Sequence, residues 1–296
     1  MSYRKIIVLG AGAIGSSYGA LLSRKNDVTL IGNKAHVDAV ESNGLLVEGD
    51  VRDRFSVKAA VGVREIPPGS LILLTTKAQD MGEAVKRIKP LLKKDTVILV
   101  LQNGLKIKQL IQRLVGAEIE VVRGLALLAA EFLEPGGIRF WNGPTVIERT
   151  KTGEEIAALL RESGIKVTVT EEMEKEEWSK LIVNCVINPL TAILRVRNNE
   201  IEADSLKAIR HRIVEECVRV GNAEGMSFKP GLRADIDRKI RGYSNFSSMC
   251  QDIIKGKKTE IEFLNGKIVE LGKKHGILTP VNETLVSLIK FMEAKI

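Results

Sequence analysis

The chain has 296 residues, 44% of them hydrophobic, and its 45 basic against 37 acidic side chains give a formal net charge of +8. That length and apolar content allow two domains with buried cores, while no apolar stretch approaches the ~20 residues that a membrane helix needs. The positive balance favours anionic ligands, but the basic residues interleave with acids and form no aromatic-studded stripe, which argues against nucleic acid as a partner.

Taken in chain order, a β-rich run at 6–9 leads straight into Gly10-Ala11-Gly12-Ala13-Ile14-Gly15, and 13–25 reads as a helix. A strand at 28–31 follows, then a helix at 36–43 closed by Gly44, and 45–61 alternates around Gly49-Asp50 as a hairpin-like excursion. Strands are predicted at 70–76 and 96–101, with helices at 79–93 and 104–115. The runs 121–132 and 138–141 flank the turn Glu134-Pro135-Gly136-Gly137 and read as an antiparallel pair. A helix at 154–163 and a strand at 165–170 complete the alternation. Beyond Thr170 every pattern is helical. The expected fold class is therefore α/β: an N-terminal Rossmann-type doubly wound sheet over 1–171, followed by an all-α domain over 172–296.

GxGxxG acquires its meaning from context, and here it lies between a strand and a helix. Gly10 permits the tight turn, Gly12 lets backbone approach a pyrophosphate, and Gly15 lets helix and strand pack closely. The helix N-terminus then presents N–H groups and partial positive charge to phosphates. In a doubly wound sheet the other ligand contacts come from loops after strands. Lys77 follows one strand and suits either a cofactor phosphate or ribose, or a plain surface position. Asn103 follows another and suits either a helix cap or the nicotinamide and substrate. The end of the second strand, Gly32-Asn33-Lys34, lacks the acid that would hold an NAD ribose. Asn33 and Lys34 suit a 2′-phosphate instead, which points to NADPH, with NADH as the second choice.

In the predicted helical half, Trp178-Ser-Lys-Leu-Ile-Val-Asn-Cys-Val-Ile-Asn-Pro-Leu190 is an apolar run broken by one ammonium and two amides. Lys180, Asn184 and Asn188 are spaced i, i+4, i+8 and so share one face of a helix. Desolvation lowers the pKa of a lysine ammonium, which suits it to deliver a proton near neutral pH. The same pattern also fits a lysine snorkelling to water and asparagines paired with backbone. Pro189 would kink the helix and aim Asn188. Thr259 and Glu262 have capping-box spacing, which leaves Glu260 to face the cleft expected between the domains. Cys185, Cys217 and Cys250 are well separated and read as reduced core thiols. His36, His211 and His275 lack ligand spacing, so no metal site is expected. The N-terminal apolar segment is too short for a signal peptide, and a cytoplasmic location is expected.

The glycine loop, Lys77-Ala78, Gln102-Asn103-Gly104, Lys180-Leu181-x-x-Asn184-x-x-x-Asn188-Pro189-Leu190-Thr191-Ala192, and Ser247-Ser248-Met249-x-Gln251-Asp252 with Thr259-Glu260-Ile261-Glu262 together resemble the 2-dehydropantoate 2-reductase (ketopantoate reductase) family. The resemblance spans the whole chain in order. It implies NADPH-dependent reduction of ketopantoate to pantoate, a step of pantothenate and coenzyme A synthesis, with Lys180 as proton donor. It further implies that Asn184, Asn188, Asn198 and Ser248 hold substrate, and that Asn103, Ala130 and Glu260 touch the cofactor. This chain has Asn198-Asn199-Glu200 where the family usually has Asn-Gly-Glu, and Asn33 where many members carry an arginine.

The expected partner is a small 2-oxo acid, with a homodimer left open as the assembly. Two other readings use the same residues: a related 2-oxo-acid dehydrogenase of the same two-domain plan, and a non-catalytic NADPH sensor. A sensor would need no proton donor, so the polar set Lys180, Asn184, Asn188 and Ser248 favours an enzyme.

Overall fold

A computed structural model describes residues 3–295. The chain divides into two compact units, one running through Gln102 and resuming from Lys106 to Met173, the other made of Asn103–Leu105 and the residues from Glu174 onward.

The first unit contains β1 (Lys5–Leu9), α1 (Ala13–Ser23), β2 (Val28–Ile31), α2 (Lys34–Asn43), β3 (Leu45–Gly49), β4 (Asp53–Phe55), β5 (Lys58–Ala60), β6 (Ser70–Leu74), α3 (Ala78–Ile88), β7 (Val97–Val100), α4 (Ile107–Val115), β8 (Glu120–Ala126), β9 (Ala129–Glu134), β10 (Gly137–Trp141), β11 (Thr145–Glu148), α5 (Lys151–Glu162) and β12 (Val167–Thr170). An eight-stranded sheet runs β12-β11-β8-β7-β6-β1-β2-β5, parallel except where β11 meets β8. Its central strands are apolar at nearly every position because both faces are covered. Alternate residues serve opposite faces. Ile6, Val8, Leu71, Leu73 and Leu99 pack with Tyr18, Leu22, Ile156 and Leu160 of α1 and α5. Ile7, Leu9, Ile72, Leu74 and Ile98 pack with Met81, Val85, Ile107 and Ile111 of α3 and α4.

Three expectations change here. The run at 121–132 forms two strands: the Leu127 N–H donates to the Pro144 carbonyl at 3.0 Å, in register with the β8–β11 pairing, so the chain stays with β11 through Leu127 before β9 begins at Ala129. β8 then stays in the large sheet, and β9 pairs with β10 in a four-stranded sheet of order β4-β3-β10-β9. β11, only four residues after Gly143-Pro144, had too short a pattern to read. The 45–61 excursion pairs β3 with β4, but β5 crosses to become the edge of the large sheet beside β2.

His36 of α2 ties α1 to the turn between β9 and β10. It is fully buried; the Gly136 N–H donates to its Nδ1 at 3.0 Å, and its Nε2 lies 3.1 Å from Ser16 Oγ on α1. An accepting Nδ1 leaves the proton on Nε2, so the neutral ring donates to Ser16. Burial holds its pKa below the ordinary 6.5. The unfolded chain therefore binds the extra proton first, and stability rises with pH. His36 should contribute fully above about pH 6.5, and the contribution should be lost as pH falls through the depressed folded value. A melting-temperature profile from pH 7.5 down to 5 should show this loss, and His36→Gln should flatten that part of it. An unchanged slope in the variant would assign the loss to other groups.

The second unit is helical: α6 (Met173–Leu194), α7 (Lys207–Ala223), α8 (Leu232–Arg241), α9 (Ser248–Ile254), α10 (Asn265–Lys274) and α11 (Pro280–Glu293), with short 3-10 turns between. α6 runs through the centre of its core: Trp178, Leu181, Ile182, Cys185 and Val186 are buried with Ile213, Cys217 and Val220 of α7 and Ile268 of α10. Leu105 is buried in the same cluster, which is why residues 103–105 leave the sheet unit. No helix among the described residues is long and apolar enough to cross a membrane.

Candidate active site

In the large sheet the chain proceeds from β1 outward through β2 to β5, then returns to β6 on the other side of β1. The reversal between β1 and β6 is the switch point at which open α/β sheets bind ligands, beyond the strand C-termini. Gly10 sits there at φ +116°, and a Cβ on it would stand 2.4 Å from the Thr76 nitrogen. A Cβ on Gly15 would meet the Gly10 carbonyl at 2.1 Å, so neither position accepts a side chain. Gly12 differs. A Cβ there would have nothing within 4 Å, and the residue is exposed as the N-cap of α1 with no side chain of its own over the helix end. Open space above first-turn N–H groups suits a pyrophosphate. Ala11 is buried with its N–H on the Ile31 carbonyl at 2.7 Å, while Ala13 and Ile14 are half-buried in the first turn.

The neighbouring strand ends sit on the same edge. Asn33 is exposed and caps α2, its Oδ1 accepting from the His36 N–H at 2.9 Å, and Lys34 pairs with Asp38. Lys77 is half-buried and is the N-cap residue of α3. Ala130 lies in β9 opposite Phe140. Sequence reasoning gave no role to Thr75 or Thr76 and named Gln102 only within the Gln102-Asn103-Gly104 motif. Thr75 Oγ1 donates to the Gly10 carbonyl at 2.9 Å, and Gln102 Nε2 reaches Thr76 Oγ1 at 3.3 Å. Gln102 Oε1 is buried without a partner among the described residues, an acceptor at the strand end that fits a donor on a bound ligand.

Beneath this edge lies Arg123 of β8, which is 1% exposed. Its guanidinium donates to the carbonyls of Val100 (3.0 Å), Gly124 (2.7 Å) and Gln102 (3.0 Å). Its own N–H donates to Glu148 Oε1 at 2.8 Å, and that carboxylate also holds Lys108. One arginine inside a β-run gives no sign in sequence that it will hold the end of β7.

In the second unit Lys180, Asn184 and Asn188 all lie within α6 and share one face; Lys180 and Asn184 are half-buried and Asn188 is buried. Thr191 Oγ1 meets Ser247 Oγ at 2.7 Å, and Ser247 caps α9 by accepting from the Cys250 N–H. That bond brings the start of α9, with exposed Ser248 beside buried Ser247, to the C-terminal half of α6. Asn198 is 5% exposed, its N–H is held by the Asn245 carbonyl at 3.0 Å, and its Oδ1 is buried without a partner among the described residues. Asn103 Nδ2 donates to Glu260 Oε2 at 2.9 Å, bringing two predicted site residues together.

The motif order is matched by whole-chain comparison. Residues 6–154 match the family described as ketopantoate reductase PanE/ApbA, and residues 172–293 match its C-terminal family domain. The chain belongs to the ketopantoate reductase family. A relative named 2-dehydropantoate 2-reductase from Pyrococcus horikoshii is 36% identical over 98% of each chain, and one from Streptococcus pyogenes is 30% identical over the same shares. Among solved structures, a PanE/ApbA family ketopantoate reductase from Ralstonia eutropha JMP134 superposes with a TM-score of 0.91 at 33% identity, covering 98% of this chain and 99% of that one. A D-mandelate dehydrogenase, solved with NADH and anilino(oxo)acetate, also gives 0.91 at 28% identity over 98% and 99%.

This ketopantoate reductase family member is thus a nicotinamide-dependent oxidoreductase with an α/β unit followed by a helical one. Two local readings need correcting. Asn103 does not cap α4, which begins at Ile107 behind a left-handed Lys106. Thr259 does not form a capping box with Glu262: Thr259 Oγ1 accepts from the Ile261 N–H at 3.2 Å, the short 3-10 turn begins after Glu260, and Glu262 pairs instead with Lys290. The Thr259 N–H goes to Glu293 of α11, so a tertiary partner outcompetes the local cap.

Proposed function

We propose that the chain reduces 2-dehydropantoate to (R)-pantoate in pantothenate and coenzyme A synthesis, with NADPH as reductant and Lys180 as proton donor. The observation that carries this reading is the Lys180–Asn184–Asn188 face of α6 in a chain that matches the family from end to end. The open Gly12 position and the buried, unpartnered Gln102 Oε1 fit a dinucleotide held by Gly10–Gly15, with Asn33 and Lys77 at its phosphates and Asn103, Ala130 and Glu260 touching it. Bound there, reduced nicotinamide supplies the hydride for the 2-oxo carbon. Lys180 then gives a proton to the oxygen that becomes the hydroxyl. Asn184, Asn188 and Ser248 hold the substrate's hydroxyl and carboxylate oxygens, and Asn198 Oδ1 accepts from its hydroxyl. The Asn103–Glu260 bond gives each of those side chains a fixed direction.

The D-mandelate dehydrogenase likeness favours one other reading, an NADH-linked enzyme for 2-oxo acids with an aromatic substituent. A panel of 2-oxo acids with NADPH and NADH, followed at 340 nm, separates the two. The highest kcat/KM is expected with ketopantoate, and a higher value for an aromatic 2-oxo acid would replace this proposal with the other.

Cofactor choice has its own test. Asn33→Asp keeps the cap on α2, since aspartate caps as well as asparagine, and so changes only the charge at the strand end. NADPH should bind more tightly than NADH in the wild type, and the variant should reverse the order by repelling the 2′-phosphate. Fluorescence titration of both dinucleotides reads this out; a wild type that prefers NADH overturns the assignment.

A further inference from the structure

Pro189 lies inside α6 and has no N–H to donate to the carbonyl four residues back, that of Cys185. The missing donor is supplied from another helix. Asn265, fully buried at the start of α10, donates Nδ2 to the Cys185 carbonyl at 3.0 Å. The same Nδ2 donates to Asn282 Oδ1 at 2.9 Å, and Asn282 is oriented in turn by its own Nδ2, 2.6 Å from Glu216 Oε2. Glu216 of α7, itself 3% exposed, also receives the N–H groups of Val281 and Asn282 in the first turn of α11. A line of buried polar groups therefore joins α7, α11 and α10 to one peptide of α6. Asn265 Oδ1 is left buried without a partner among the described residues. Turning the amide over would set its oxygen against two acceptors, so its orientation is determined by its neighbours.

We propose that Asn265 is a positioning residue for the reaction: by holding the Cys185 carbonyl it sets the turn of α6 between Asn184 and Asn188. The two asparagines flank the clamped peptide, Asn184 immediately before Cys185 and Asn188 immediately before Pro189. An undirected carbonyl at that point would let the two halves of the stripe move independently. This inference rests on the ketopantoate reading above, and small displacements of substrate-holding groups are costly to rate.

The test is a cycle of Asn265→Ala, Pro189→Ala and the double variant, because alanine at 189 restores the helical N–H to the Cys185 carbonyl. At a temperature where each is folded, Asn265→Ala should lower kcat/KM for ketopantoate by about tenfold or more, while the dissociation constant for NADPH stays at the wild-type value. Adding Pro189→Ala should recover most of that loss. Unchanged kcat and KM in folded Asn265→Ala, or a double variant no better than the single one, overturns the proposal. If Asn265→Ala does not fold, a double variant that folds supports the relay and one that does not overturns it. If the wild type does not reduce ketopantoate, the functional reading fails by itself, and hydrogen exchange over 181–192 still decides the relay. Faster exchange in Asn265→Ala that the double variant reverses supports it, and equal exchange overturns it.

Discussion

Lys180→Ala is expected to lower kcat for ketopantoate reduction by about two orders of magnitude or more, the scale of losing a general acid. In barrier height a hundredfold is about 2.7 kcal/mol. Lys180 is half-buried at the head of the α6 face that also carries Asn184 and Asn188. Removing it leaves only water to protonate the reduced oxygen. Lys180→Arg should be nearly as impaired, because a guanidinium keeps the charge but does not give up its proton. Asn184→Ala should differ in kind by raising KM more than it lowers kcat, having removed binding and not proton delivery. Steady-state kinetics on folded variants test all three. Near-wild-type kcat in Lys180→Ala would remove it from the chemistry.

The largest loss of stability is expected from Arg123→Met. The arginine is 1% exposed and serves three carbonyls, those of Val100, Gly124 and Gln102. Methionine keeps much of the volume but its side chain donates nothing, so three buried carbonyls lose their donor, while the backbone N–H at 123 still reaches Glu148. The cost should be about 3–5 kcal/mol, as for breaking other buried charged networks. At ~2–4 °C per kcal/mol, a drop of about 10 °C in melting temperature follows for a unit of this size. Because Gln102 follows β7 at the edge proposed to hold the dinucleotide, dinucleotide binding should weaken in the same variant. A melting temperature within about 2 °C of wild type would show that neighbouring N–H groups or water replace the guanidinium.

Much of the site can be read from local spacing. GxGxxG between a strand and a helix needs only a dozen residues to declare itself, although the atom that excludes a side chain at Gly10 belongs to Thr76, at the end of another strand. The i, i+4, i+8 stripe of Lys180, Asn184 and Asn188 follows from helical geometry as soon as 178–190 is helical. Other parts have no local signature. Gln102 Oε1 and Asn198 Oδ1 matter because they are buried without partners, and burial of a single atom is not written in neighbouring residues. The capping-box spacing at Thr259 was present, but Glu293 of α11 took its N–H and Lys290 took Glu262.

The sequence by itself determined the α/β class, the glycine loop, the helical second half and the order of its polar residues, because these rest on periodicities of two and 3.6 and on turn sterics. Tertiary structure alone decided which strand ends share an edge, where 121–132 divides between two sheets, and which helix lends a donor to the Cys185 carbonyl that Pro189 leaves without one. Those outcomes depend on hydrogen-bonding groups far apart in sequence, as with Asn265 and Cys185 or Arg123 and Val100. A buried polar group must find a partner wherever the packed chain provides one, and only the folded chain sets where that is.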